Sequence, residues 1–85
     1  MSISELGERL LAVNERADKN AQNLERERNY ILETMEKVQS NFGDQKAGQQ
    51  LVITLYNVIN TLAEADSALY RLRSRIAPYI SQTRK

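Results

Sequence analysis

The stretch Leu51–Ile80, LVITLYNVINTLAEADSALYRLRSRIAPYI, decides the fold. Within it Leu55, Val58, Leu62, Ala65, Leu69, Leu72, Ile76 and Tyr79 follow one another at alternating steps of 3 and 4. That spacing is the seam of a helix packed lengthwise on another helix. Leu51 extends it by one turn. A second line, Val52, Tyr56, Ile59, Ala63 and Tyr70, runs beside the first at helical spacing. A helix with one apolar stripe needs one neighbour, and one this broad needs two. Between Ala47 and Leu69 the only charged residues are Glu64 and Asp66, far fewer than a solvated helix carries.

Working outward towards the N-terminus, the chain becomes a second, charged helix. Ser2 and Glu5 form an S-x-x-E capping pattern. Ile3, Leu6, Leu10, Val13 and Ala17 then form a seam at steps of 3 and 4. It thins over Asn14, Asn20 and Asn23, a polar layer that either sets register or fills a close approach of small residues. It recovers at Leu24, Ile31 and Val38. Gly7 is read as a tolerated helix glycine. Glu5–Arg9, Glu15–Lys19 and Glu33–Lys37 are i, i+4 pairs with the acid first, the better orientation. They mark a solvated outer face rather than a catalytic or metal cluster.

Between the two helices lies Ser40-Asn41-Phe42-Gly43-Asp44. Gly43 suits the left-handed residue that ends a helix, Asp44 the N-cap of the next, and Phe42 packs under the turn. Gly48, in the following first turn, suits a close backbone approach. A connection this short makes the helices antiparallel. The expected fold is therefore all-α: an antiparallel two-helix hairpin, helices about 3–40 and 45–79, completing a helical bundle by oligomerisation. Residues 1–85 form one domain. Pro78 kinks or frays the second helix, and 81–85 is a polar tail.

Composition narrows the function. The 85 residues contain no cysteine and no histidine. That removes thiolate and imidazole chemistry, so neither a catalytic residue, a metal ligand nor a cofactor is assigned. A hairpin of this size lacks a large core, and association is the remaining way to cover its surplus apolar surface. No apolar run reaches the about 20 residues needed to span a bilayer. Glu5 and Glu8 interrupt any signal-peptide pattern at the N-terminus. Residues 1–45 hold six bases and nine acids, net −3, and residues 46–85 six bases and two acids, net +4. The basic end, Arg71, Arg73, Arg75, Arg84 and Lys85, is better explained by pairing with the acidic helix and by the macrodipole than by nucleic acid. Arg71 and Arg75 share a helix face, and Arg73 points away from them.

Phe42-Gly43 at the turn, Ala47-Gly48-x-x-Leu51 after it and Ile76-x-x-Tyr79 near the end resemble the WXG-motif proteins of bacterial type VII secretion. The chain is most similar to their small helical cousins, the targeting or chaperone partners of LXG polymorphic toxins. It departs from the pattern in having no tryptophan and no residue between Phe42 and Gly43. It also lacks the export signal of an aromatic followed four residues later by an acid, since Thr83 stands four after Tyr79. The resemblance implies a non-enzymatic partner that binds the N-terminal helical domain of a toxin, or a second small hairpin, and helps export. It implies a bacterial cytoplasmic protein, exported, if at all, without a signal peptide. Val52, Tyr56, Ile59, Ala63 and Tyr70, the line left once the hairpin closes, are the expected partner-binding residues. The alternative is a self-associating module, a four-helix homodimer using the same line. Neither nucleic acid nor stable membrane insertion is expected.

Overall fold

The computed structural model describes residues 1–83. They form two helices, α1 (Ile3–Phe42) and α2 (Lys46–Thr83), packed along their whole length into a rod of 61 × 17 × 14 Å. This is the expected all-α antiparallel hairpin. Ser2 caps α1: its hydroxyl accepts the backbone N–H of Glu5 at 3.1 Å. That satisfies one of the donors a helix start leaves free.

The turn differs from the reading of its sequence. Gly43 has φ −65° and ψ −22°, right-handed helical values, and no described residue has positive φ. Its N–H still donates to the Gln39 carbonyl at 3.0 Å, so Gly43 prolongs α1 instead of reversing it. Asp44 is not the N-cap. The first helical residue is Lys46, and the preceding Gln45 accepts the Gln49 N–H at 3.0 Å. The Gln49 side-chain amide donates back to the Gly43 carbonyl at 3.1 Å. Phe42 is about half exposed rather than tucked under the turn. The close approach expected at Gly48 is present. A Cβ there would lie 2.8 Å from the Phe42 carbonyl carbon, and Gly48 is buried.

Pro78 does not end α2. The helix runs through it to Thr83, so 81–83 is helix rather than tail. Arg84 and Lys85 lie outside the described residues. Proline deprives the Ser74 carbonyl of its helical donor. Ile80 and Thr83, both half-buried against α1, offset that loss. At the same end Gly7 meets Thr83: a Cβ on Gly7 would stand 2.7 Å from the Thr83 Cβ. Gly7 is thus a contact glycine, not merely a tolerated one.

The seam shares only one of its two expected lines on each helix. On α1 the seam runs through Gly7, Leu10, Asn14, Ala17, Ala21, Leu24, Arg28, Ile31, Met35 and Val38, with Leu11, Asp18 and Thr34 half-covered beside it. On α2 it runs through Gly48, Val52, Leu55, Ile59, Leu62, Asp66, Leu69, Arg73, Ile76 and Ile80, with Ala63 and Thr83 half-covered beside it. Both sets keep the 3–4 alternation without a break, so the helices follow each other as a two-stranded coil. The rows Leu10–Val38 and Leu55–Ile76 were expected inside and are. Their expected companions, Leu6 and Val13 on α1 and Val58, Ala65, Leu72 and Tyr79 on α2, are exposed. Val52 and Ile59, expected on the free face, fill the seam instead.

The physical reason lies in what each rotation would bury. The companion row beginning at Leu6 and Val13 carries Glu27, which stays exposed. The observed row carries Arg28, whose long stem packs while its charged end escapes. The observed rotation also sets the contact glycines at positions 7 and 48, and it closes an ion pair between Asp18 and Arg73.

Candidate partner-docking faces

Among the described residues only Ala17, Ile59 and Ile76 are buried apolar side chains, at 3, 9 and 8% exposure. A hairpin has two broad faces flanking its seam, and here both retain apolar side chains. The Asp18 carboxylate meets the Arg73 guanidinium at 3.0 Å, and Asn14 shares a shallow cleft with Tyr70, Arg73, Ser74 and Ala77. These contacts fix which flank of α1 lies beside which flank of α2.

One face, the aliphatic face, joins Leu6 and Val13 of α1 to Leu51, Val58, Leu72 and Tyr79 of α2. All six are between 39 and 60% exposed. The α2 residues, with Ala65, recur every 7 positions from one end of the helix to the other. The next row outward, Ala47, Thr54, Thr61 and Ala68, is small and uncharged until it reaches Arg75. The Thr54 and Thr61 hydroxyls donate to carbonyls of their own helix, Gln50 and Asn57, each at 3.1 Å. Their hydrogen-bonding capacity is thus largely used at home, which suits an apolar contact surface.

The opposite face, the tyrosine face, joins Leu11 and Leu32 to Tyr56, Ala63, Tyr70 and Ala77. Leu11 and Ala63 are half-buried, and Leu32, Tyr56 and Tyr70 are exposed. The five expected partner-binding residues are therefore divided. Tyr56 and Tyr70 are free, Ala63 is half-covered, and Val52 and Ile59 belong to the hairpin itself. The 7-residue row Leu51–Tyr79 is legible in the sequence, but its spacing points to the intramolecular seam, and the structure leaves it outside.

Of the asparagine layer, Asn14 alone enters the seam, and Asn20 and Asn23 are exposed. Asn23 instead accepts from the Arg26 guanidinium on the outer surface. The Asn14 Oδ1 and the Arg73 Nε are buried without a hydrogen-bond partner. Asp18–Arg73 is the one ion pair within 4 Å among the described residues. The Glu5–Arg9, Glu15–Lys19 and Glu33–Lys37 pairs are not closed. Arg71 and Arg75 are exposed and Arg73 points away from them, as their spacing indicates; its entry into the seam in place of Leu72 is not what the sequence suggests.

Among the described residues no cluster of three or more carboxylates, histidines or cysteines gathers, and no helix is long and apolar enough to cross a membrane. Comparison with protein-family models, with curated proteins and with solved structures finds no match for this chain.

Proposed function

We propose that this chain is a helical interaction protein without enzymatic activity, whose aliphatic face lies against the helices of a second protein. One observation carries the reading: α2 closes on a row that holds Asp66 and Arg73 and leaves outside the wholly apolar row Leu51, Val58, Ala65, Leu72 and Tyr79. Asn14, Arg28, Asp66 and Arg73 are in the seam, and Leu6, Val13, Leu51, Val58, Leu72 and Tyr79 are out of it. A self-sufficient hairpin gains by the reverse arrangement, because burial of apolar area drives folding. A face running the length of a 61 by 17 Å rod offers roughly 1,000 Å², against the about 800 Å² per partner of a standard protein interface.

The partner class follows from the resemblance to type VII secretion proteins: the N-terminal helical domain of an LXG toxin, which the hairpin shields and accompanies to the export machine. Co-expression with the helical N-terminal domain of an LXG toxin tests this. A stable co-purifying complex is expected. Val58→Asp with Leu72→Asp leaves the chain helical by circular dichroism and abolishes capture. Capture undiminished by this double substitution removes the aliphatic face from the contact, and absence of any complex removes the toxin.

A further inference from the structure

The two broad faces differ in charge as well as in shape. The aliphatic face and its rim carry Arg9, Arg16, Lys37 and Arg75 against a single acid, Glu27. Arg9 and Arg16 flank Val13 in one shallow cleft. The tyrosine face and its rim carry Glu8, Glu15, Glu25 and Glu36 against Lys46, and the charge of Asp18 there is answered by Arg73. The hairpin is therefore electrostatically two-sided, net +3 on one face and net −3 on the other, although the chain as a whole is near neutral at +1.

From this asymmetry we infer that the occupant of the aliphatic face is a helical segment of another protein whose apolar seam is flanked by aspartate and glutamate. This rests on the docking reading above and specifies its partner. The apolar row supplies contact area, and the basic rim supplies orientation and discrimination. Charge complementarity of this kind steers encounter and rejects wrong partners more than it adds affinity. The same charges oppose a symmetric dimer through this face. A two-fold axis would set the rim of one copy against that of the next, with Glu27 the only acid to answer four bases. Like charges across an interface are unfavourable. A symmetric dimer through the tyrosine face meets the same obstacle with the opposite sign.

The test uses the whole protein and two synthetic four-heptad helical peptides with the same leucine–alanine seam. One is flanked by glutamate, the other by lysine. Fluorescence anisotropy at low ionic strength is expected to show the glutamate peptide binding at least about tenfold more tightly, from several exposed charge pairs acting together. That preference disappears near 1 M salt, where screening reaches about 3 Å. Val58→Asp with Leu72→Asp removes binding, and Tyr56→Asp with Tyr70→Asp does not. Reversing the rim with Arg9→Glu, Arg16→Glu and Arg75→Glu, all at exposed positions, inverts the preference without touching the seam.

Equal affinities, a preference for the lysine peptide, or loss of binding only in the tyrosine-face variant overturns the acidic partner while docking by a helix survives. If neither peptide binds and light scattering shows a monomer, helix docking on this face fails as well. A dimer abolished by Val58→Asp with Leu72→Asp gives the face to a second copy of the chain and overturns the proposal.

Discussion

The turn half and the terminal half of the hairpin share one heptad geometry and fill it differently. From Leu24 to Leu62 the seam is mostly large and apolar: Leu24, Ile31, Met35 and Val38 face Val52, Leu55, Ile59 and Leu62, with Arg28 as the one charged member. Towards the termini α1 is smaller and more polar, with Gly7, Asn14, Ala17 and Ala21 beside the one large member Leu10, and α2 sets Asp66 and Arg73 among Leu69, Ile76 and Ile80. The turn half is held by side-chain volume. The terminal half sets large side chains of α2 against small ones of α1, around a polar site that is only partly satisfied. The lesson is that a continuous heptad specifies alignment of two helices but not the strength of their contact. Strength depends on what occupies each position.

The largest effect expected from breaking this contrast is at Ile59, the most buried large side chain of the turn half. Ile59→Ala removes buried methylenes and leaves a space the neighbours cannot fully close. It is expected to cost about 2–4 kcal/mol by urea denaturation. Val58→Ala, one residue away on the exposed row, should stay within about 0.5 kcal/mol. If the two substitutions cost the same, the observed seam is wrong and the helices are rotated towards the row first read from the sequence.

The glycines separate the two ends next. Alanine in a helix interior gains about 1 kcal/mol over glycine. At Gly48 the new methyl group meets the Phe42 backbone, which cannot swing aside. Overpacking of that kind costs about 1–3 kcal/mol, so Gly48→Ala should be destabilising overall. At Gly7 the obstacle is the Thr83 side chain in the last described turn of α2, which can yield. Gly7→Ala should therefore change stability by less than about 1 kcal/mol, the size of the propensity gain itself. A larger loss at Gly7 than at Gly48 would reverse this assignment of rigid and yielding ends.

Asn14 sharpens the comparison from the polar side. Its Oδ1 is buried without a partner, a desolvation cost with no compensating bond. Replacing it by the similarly sized apolar residue in Asn14→Leu should raise the urea midpoint, adding about 1 kcal/mol of stability. The denaturant slope should not change if the native state keeps its compactness. A fall in stability would mean that Asn14 forms a compensating bond, through solvent or a neighbour, that the geometry does not show.

How much of this was legible in the sequence follows from the same rows. Two helices, their antiparallel pairing and the close contact at Gly48 could be read from spacing and punctuation. One line of each seam could be read too, because Leu10–Val38 and Leu55–Ile76 belong to every plausible heptad. The other line could not. On α2 the rows beginning at Val52 and at Leu51 flank the shared line on either side, and both are apolar enough to serve. Hydropathy alone favours Leu51–Tyr79. The observed choice goes with features a single helix does not display: the fit of Gly7 to Thr83 and the Asp18–Arg73 pair. The free face carries the same ambiguity: spacing points to Val52 and Ile59 outside and Val58, Leu72 and Tyr79 inside, and the structure has the reverse. The turn failed more locally. Gly43 permits a left-handed conformation but does not require one, and Gln45 with Gln49 closed the corner without it.

The smallest expected effect concerns Asp18 and Arg73, although they form the one ion pair of the described chain. Their side chains remain 45 and 39% exposed. Water and salt therefore compete for both charges, and exposed pairs contribute typically 0.2–1 kcal/mol, screened further by added salt. Asp18→Asn keeps the shape of the side chain and removes only its charge. It should cost no more than about 0.5 kcal/mol, a difference that vanishes near 1 M salt. A loss several times larger, insensitive to salt, would show that the pair is buried in solution. That is the outcome expected if another helix covers this side of the terminal half, so the same measurement repeated in the presence of a docked partner reports which face the partner occupies. Enlargement of the Asp18→Asn effect on binding would place it over the tyrosine face. An unchanged effect is what docking on the aliphatic face requires.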